Sequence, residues 1–339
     1  MTMPGPLPGL SRTISMRRRC MAGALATLLG AVPFGAVALA QEAWPSRPIT
    51  VVVPYPAGGS NDVFARAVGR RLSEVLGQPV LIDNKPGAGG TLGTGIVAKA
   101  PADGYTLAAV SSSFVTNAAV QPRLPFDPVE SFAPVAMMAK GPFIVAVRSD
   151  LPANTPAQLL ALARQQPGKL NYASSGPGST NQFATELLKA SAGVFITHIP
   201  YRGMAPATTD LMSGSVDLLI ASGSSLRPAL RSGKARAIAI TSARPSATAP
   251  ELVPMADVIP GYSFDVWWGM LAPAGTPPGV VQRLNSEINR IVGGPEMKAF
   301  LLREGAEPAG LTPAQFAAQI QREIPYWQKV AKDTGISPE

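Results

Sequence analysis

The sequence contains one cysteine, Cys20, and one histidine, His198. A single thiol allows no intrachain disulfide and no thiolate-rich metal site. A single imidazole removes most zinc sites. It also makes any Ser-His-Asp triad depend on His198, which sits in the apolar run Ile196-Thr197-His198-Ile199 and is expected to be packed. There is no Gly-Lys-Ser/Thr phosphate loop. Gly93-Thr94-Gly95-Ile96-Val97-Ala98 matches a dinucleotide pattern ending in alanine, but the preceding strand ends about ten residues too early for those glycines to form the strand–helix turn. Paired carboxylates for acid–base work are not evident. The chain is expected not to be an enzyme, and to need neither a metal nor a cofactor.

Charge is sparse as well. Charged residues make up 15% of the chain, apolar residues 46%, and the formal net charge is +8. Such a balance suits a packed globular protein and excludes disorder. Arg12, Arg17, Arg18 and Arg19 lie within the first 40 residues, which hold no acid; without them the charge falls to +4. Outside that region no run of Lys or Arg occurs, so no nucleic-acid face is expected. Nor does any later segment hold 18 uninterrupted apolar residues, so the protein is not expected to be membrane-embedded.

The N-terminus has the form of a signal peptide, residues 1–40. A basic region, Arg17–Arg19, precedes the apolar stretch from Met21 to Ala36, and Ala38-Leu39-Ala40 offers a cleavage site before Gln41. Pro33 interrupts the apolar stretch, which is too short to span a bilayer. Cys20 lacks the small and apolar residues that precede a lipidated cysteine. Residues 1–15 lie ahead of the pattern, so translation begins at Met1 or at Met16. The arginine pair leaves twin-arginine export beside Sec export. The protein is expected in the periplasm.

With 339 residues, the chain suits two lobes of about 100–150 residues each. Strand and helix patterns alternate. Ile49 to Val53 is a β-branched run ended by Pro54, and Val63, Phe64, Ala67, Val68, Leu72, Val75 and Leu76 follow at helical spacing up to Gly77. Further strands are predicted at 79–82, 105–110, 143–147, 171–174, 196–199, 216–220 and 235–241, and helices at 91–100, 155–164 and 206–213. From about Thr276 the pattern is helical: 278–292, 295–304 and 313–333. This predicts an α/β fold of mainly parallel sheets flanked by helices. The helical C-terminal tail is expected to pack on lobe one.

Three predicted strand–loop–helix junctions share a composition: Ala57-Gly58-Gly59-Ser60, Gly87-Ala88-Gly89-Gly90 and Gly176-Pro177-Gly178-Ser179. Each places small residues where a helix begins. Helix N-termini carry unpaired N–H groups and partial positive charge, and glycine lets a ligand approach the backbone, so the three loops either form an anion site or are simply turns. Asp62 either caps its own helix or meets a donor on the ligand. Ser111, Ser112 and Ser113 follow a strand and offer hydroxyls to the same cleft. Arg202 either pairs with a second carboxylate or is a solvated arginine.

The residues resemble a known family, the periplasmic substrate-binding proteins of tripartite tricarboxylate transporters, called Bug or TctC-like. The match runs from Trp44 nearly to the end. It rests on Trp44-Pro45, Pro54-Tyr55-Pro56-Ala57-Gly58-Gly59 with Asp62, Asn84-Lys85-Pro86-Gly87-Ala88-Gly89-Gly90, and Ala100-Pro101-Ala102-Asp103-Gly104-Tyr105-Thr106-Leu107. It continues through Pro125-Phe126-Asp127-Pro128, Ser174-Ser175-Gly176, Pro200-Tyr201-Arg202-Gly203, Gly214-Ser215-Val216-Asp217-Leu218, Trp267 with Gly269, and Ala272-Pro273-Ala274-Gly275-Thr276-Pro277. The resemblance implies a two-lobe Venus flytrap crossed twice by the chain. The expected lobes are 44–143 plus 266–339, and 144–265, with a hinge near Gly141-Pro142 and Asp265–Trp268.

It also implies a carboxylate ligand held by backbone N–H groups and ordered water. Tyr55, Pro56, Ala57, Gly58, Gly59, Asn61 and Asp62 would take its proximal carboxylate. Gly87, Ala88 and Gly89 and the loop with Ser175, Gly176, Ser179 and Thr180 would complete the pocket; Ser111, Ser112 and Arg202, read from the residues themselves, are the other expected ligand contacts. The ligand class is mono- or dicarboxylic acids, amino acids included, and aromatic acids. The monomer is expected to deliver it to a tripartite-type membrane permease or, alternatively, to present it to a membrane sensor kinase. The sequence departs from the family at Gln182, where His is common, at Pro177, which removes a donor, and at Trp268, where Tyr or Phe is usual. Pro177 and Gln182 lie near the expected selectivity loop and bear on which ligand is taken.

Overall fold

The computed structural model describes residues 44–337. The expected signal peptide, its cleavage after Ala40, Cys20 and the two candidate start sites lie outside them. The chain begins with β1 (Ile49–Val53), α1 (Ser60–Leu76), β2 (Val80–Asn84), α2 (Thr91–Ala98), β3 (Thr106–Ser111), α3 (Ser113–Val120) and β4 (Phe132–Pro142). Then follow β5 (Ile144–Arg148), α4 (Pro156–Gln165), β6 (Asn171–Ser174), α5 (Thr180–Ala192), β7 (Thr197–Pro200), α6 (Met204–Ser213), β8 (Leu218–Ala221), α7 (Gly223–Arg231) and β9 (Ala235–Ile240). The last part is β10 (Asp265–Pro273), α8 (Pro278–Gly293), α9 (Pro295–Arg303), β11 (Glu307–Pro308) and α10 (Pro313–Thr334).

Two sheets result. One has the strand order β11-β4-β10-β3-β1-β2 and the other β7-β6-β8-β5-β9. Each forms the centre of a lobe, with helices packed on its faces. The α/β class and the two-lobe architecture hold. The sheets are mixed, however, where mainly parallel ones were expected. β1 pairs parallel with β2 and β3, and β6 with β7 and β8, but β10 is antiparallel to β3 and β4, and β5 to β8 and β9. The antiparallel pairs arise where the chain changes sheets. β4 runs straight into β5 through Phe143, and β10 brings the chain back.

Burial explains the local structure. On α1, Phe64, Ala65, Val68, Leu72 and Leu76 form one buried face, each fully buried large side chain adding about 1.5–3 kcal/mol. β1 is apolar and buried apart from Thr50, with α1 and α2 packed against it. At the crossing, Thr241 Oγ1 accepts the Phe143 N–H (2.8 Å) and donates to the Phe264 carbonyl (2.6 Å), while Phe143 and Phe264 stack at 5.8 Å. The two passages between sheets are thus tied together.

The tail packs on the first sheet: Trp267 Nε1 donates to Glu323 of α10 (2.9 Å), and Phe316 meets Trp267 edge-on. It also reaches further than the sequence suggested, since Trp327 packs against Phe183 of α5 in the second lobe. Among the described residues no helix is long and apolar enough to cross a membrane.

Candidate functional site

A cavity of about 590 Å³ lies between the lobes. Its walls are mostly the loops at the carboxyl ends of parallel strands, where open α/β sheets leave room for ligands. From the first lobe come Tyr55, Pro56, Ala57, Gly59, Ser60 and Asn61 of the β1–α1 junction, Pro86 to Gly90, and Ser111 and Ser113. The second lobe adds Ser175, Gly176, Pro177, Ser179, Thr180, Asn181, Arg202 and the starts of α6 and α7, with Phe143, Val266 and Trp268 at the crossing.

The first turns of α1, α3, α5, α6 and α7 all contribute to the wall. Ser179 caps α5 and Ser222 caps α7, whereas Gly59, Ser112 and Gly203 precede α1, α3 and α6 without any side-chain cap. Orphan N–H groups and five partial positive charges therefore converge on one space, an arrangement that favours anions.

The β1–α1 loop is held from behind. Asp62, only 5% exposed, accepts from the Gly58 N–H (3.0 Å) and from Asn84 Nδ2 (3.0 Å), and pairs with Arg66 (2.9 Å). Burial pushes its carboxyl up, but the hydrogen bonds from Arg66, Gly58 and Asn84 outweigh that and hold it below the usual carboxylate range. Gly58 is the turn residue this clamp requires, with φ 83°. Both were expected at the ligand, and neither lines the cavity. Their groups are spent on each other: Asp62 fastens the loop ahead of α1, and the helix itself has no side-chain cap.

Ser112, also expected at the ligand, likewise lies outside the cavity wall. Side chains alternate at the end of β3, so Ser111 and Ser113 face the cavity while Ser112 turns into the protein, its N–H on the Trp267 carbonyl (3.0 Å). Ser111 and Ser113 hydrogen bond with the Tyr55 hydroxyl, which burial pushes up to about 12 and so keeps protonated.

The second loop is backbone pressed against side chains. Ala88 has φ 47°, the one non-glycine residue with positive φ among those described, and Gly87, Gly89 and Gly90 are also positive. A Cβ on Gly90 would lie 3.1 Å from the Tyr55 ring. Asn117 Nδ2 donates to the Gly89 carbonyl (2.5 Å).

The third loop is fastened from below. Gln182 Oε1 accepts the Gly178 N–H (2.8 Å), and Ser174 Oγ bonds with His198 Nε2 (2.7 Å). His198 stacks on Tyr172 at 4.7 Å, a packed residue as expected, and is not in the cavity wall. Gln182 likewise acts on the loop from outside the cavity, whereas Pro177 and Trp268 are part of its wall. Arg202 is exposed at the rim.

The sequence reading missed Phe143, Val266, Trp268, Tyr201, Met204, Ser222 and Ser225. Ser222-Gly223-Ser224-Ser225 repeats the small-residue strand–helix junction and was findable by that sign. Phe143, Val266 and Trp268 reach the cavity only because the chain crosses there. Trp268, 1% exposed, is fixed by its Nε1–H to Ser60 Oγ (3.0 Å) and by its edge-on contact with Phe64.

The lobes meet on both sides of the cavity. Thr116 Oγ1 donates to the Gly178 carbonyl (2.8 Å), and Ser113 shares a hydrogen bond with Thr180 (3.2 Å). Arg227 of α7 pairs with Glu304 at the end of α9 and donates to the Arg303 carbonyl (3.0 Å).

Known proteins share this architecture. A protein of Pseudomonas sp. strain P51 from the tcbD-tcbE intergenic region is 40% identical over 93% of each chain, and BugT of Bordetella pertussis is 35% identical over 88% of this chain and 93% of its own. A solved structure of an R. palustris protein with adipate is 38% identical with a TM-score of 0.84, covering 87% of this chain and 100% of that one. MatC of Rhodopseudomonas palustris with bound malate is 33% identical with a TM-score of 0.78, covering 84% and 99%. The family profile described as tripartite tricarboxylate transporter family receptor matches residues 64–336, from within α1 to just past the last helix, every strand but β1 included. By sequence and by fold, this chain belongs to that receptor family.

Proposed function

We propose that the protein captures a small carboxylate between its lobes and hands it to a membrane permease of the tripartite type. The observation that carries this is the convergence of five helix N-termini on one interlobe cavity, with no capping side chain on α1, α3 or α6. The relatives solved with adipate and malate support the class of ligand. In this reading the segments 44–143 with 266–339, and 144–265, move as lobes about the tied crossings near Phe143 and Phe264. The carboxylate lies among the backbone N–H groups of Ala57–Asn61, the Gly87–Gly90 turn and the Ser175–Thr180 loop. Arg202 serves a second anionic group. Export to the periplasm would remove residues 1–40, and the protein works there as a monomer.

A binding protein favours closure only through a ligand that touches both lobes. Calorimetric titration of small carboxylates against their neutral amides tests the site. Acids are expected to bind and raise the melting temperature; at a hundred times Kd the stabilisation is about 2.7 kcal/mol. Amides that bind as well as the acids would remove the anion mechanism.

The closed arrangement can be tested without knowing the ligand's natural identity. Glu304 is buried at a helix C-terminus, where the macrodipole disfavours an acid, and Arg227 compensates. Arg227→Ala should weaken binding of any ligand the protein takes by roughly tenfold, mostly through faster dissociation, because it leaves a buried carboxylate unpaired only when the lobes are together. Stopped-flow dissociation rates check this, and an unchanged rate would remove the pair from the closing mechanism.

A further inference from the structure

We infer that the ligand is a carboxylate whose body is apolar and which carries no ammonium group. The inference rests on the carboxylate reading above and narrows it. Among the described residues lining the cavity none is Asp, Glu or Lys, and the one charged side chain is Arg202 at the rim. An α-ammonium group brought inside would lose its water and find no counter-charge.

Three carboxylates behind the wall are committed to other partners. Asp62 holds Gly58, Asn84 and Arg66; Asp210 accepts the Tyr201 hydroxyl at 2.6 Å; Glu304 pairs with Arg227. The other acceptors of the wall, its hydroxyls and the unpartnered Asn61 amide oxygen, are neutral and supply no counter-charge to an ammonium. Ser111 and Ser113 bond with Tyr55, Ser175 donates to Asn181 (2.9 Å), and Ser222 donates to Ser225 (3.0 Å). Five helix N-termini add positive potential, which further disfavours a cation.

What the wall offers instead is apolar surface: Phe143, Val266, Trp268, Met204, Pro56 and Pro177. Trp268 is fixed in place, so a ring or methylene chain meets a preformed face. The volume of about 590 Å³ falls within the range of pockets that bury drug-sized ligands, and is generous for a four-carbon acid.

Matched pairs that differ by one α-amino group test the inference: 3-phenylpropionate with phenylalanine, hexanoate with norleucine, and adipate with 2-aminoadipate. They are titrated calorimetrically at pH 7 into the purified protein after unfolding and refolding to strip bound solutes. The acid lacking the amino group is expected to bind at least roughly tenfold tighter than its partner in each pair that binds, the penalty of an unpaired buried charge. An amino acid that binds as tightly as its partner, or tighter, overturns the inference and leaves the carboxylate reading standing. If no member of any pair binds, both fall.

Discussion

Replacing Gly178 by alanine is expected to weaken ligand binding by roughly 10–100-fold while leaving the protein folded. Gly178 belongs to the second lobe and lies against the first. A Cβ there would sit 2.4 Å from Asn117 Oδ1 and 3.0 Å from Val120 Cγ2. Asn117 cannot simply step aside, because its amide holds the Gly89 carbonyl. The added methyl acts as a wedge that opposes closure, and overpacking of this kind costs about 1–3 kcal/mol, hence the loss in affinity. The left-handed φ of 73° adds a stability cost of about 1–2 kcal/mol for alanine. The double variant Gly178→Ala with Asn117→Ala separates the two effects. It removes the nearer collision but not the backbone strain, and it frees the Gly89 carbonyl, so affinity should recover in part while the melting temperature does not. Solution scattering should show that a ligand contracts the wild type and fails to contract Gly178→Ala. Full affinity in the single variant would mean that the lobes do not meet at this point when a ligand binds.

The second large effect is expected at Asp62. Asp62→Ala leaves the Gly58 N–H and the Asn84 amide without their partner, at a cost of roughly 1–3 kcal/mol. At roughly 2–4 °C per kcal/mol for a domain of this size class, the melting temperature drops by several degrees. Ligand affinity falls with it, because the β1–α1 loop loses the clamp behind it. The pH dependence follows from the sign of the shift. The folded carboxyl lies below its ordinary value of 3.8, so the unfolded state binds protons first as pH falls. Asp62 therefore contributes its stability above that ordinary value and loses it as pH falls through the lower, folded value. Asp62→Asn should flatten the acid limb of the stability curve, and an acid limb identical to wild type would deny the clamp its charge.

Much of this was legible in the sequence, and the exceptions have physical causes. β1, α1, β6 and the three C-terminal helices were located within a residue or two, because β-branched runs, a buried helical face or proline at a helix start mark them. β4 was not recognised: Phe132–Pro142 is rich in Ala and Met, carries Pro134 and shows no period of two. β10 was not recognised either, since its residues are buried on both faces and continue through the crossing. α7 was hidden by Pro228 inside the helix. Missing β4 and β10 hid the antiparallel pairs of the first sheet; in the second, β5 was located, but its direction against β8 and β9 is set by its running straight on from β4.

The same logic applies to the site. Gly-rich junctions announced three corners of the cavity. A carboxylate one turn into a helix gives no sign of whether it faces a ligand or its own loop, so the clamp of Asp62 on Gly58 could not be read in advance. The apolar wall of Phe143, Val266 and Trp268 is assembled by the crossings alone, and no local pattern reports it.

The central claim is that an anion is held by main-chain N–H groups where helices begin. A crystal structure with the tightest-binding carboxylate of the panel tests it most directly. The account predicts the carboxylate inside the interlobe cavity, its oxygens accepting from backbone N–H groups at the start of α1 and from the Gly-rich turns, with Trp268 against the ligand's body. A carboxylate held outside that cavity, or held in it by Arg202 alone with no main-chain donor in reach, would contradict it.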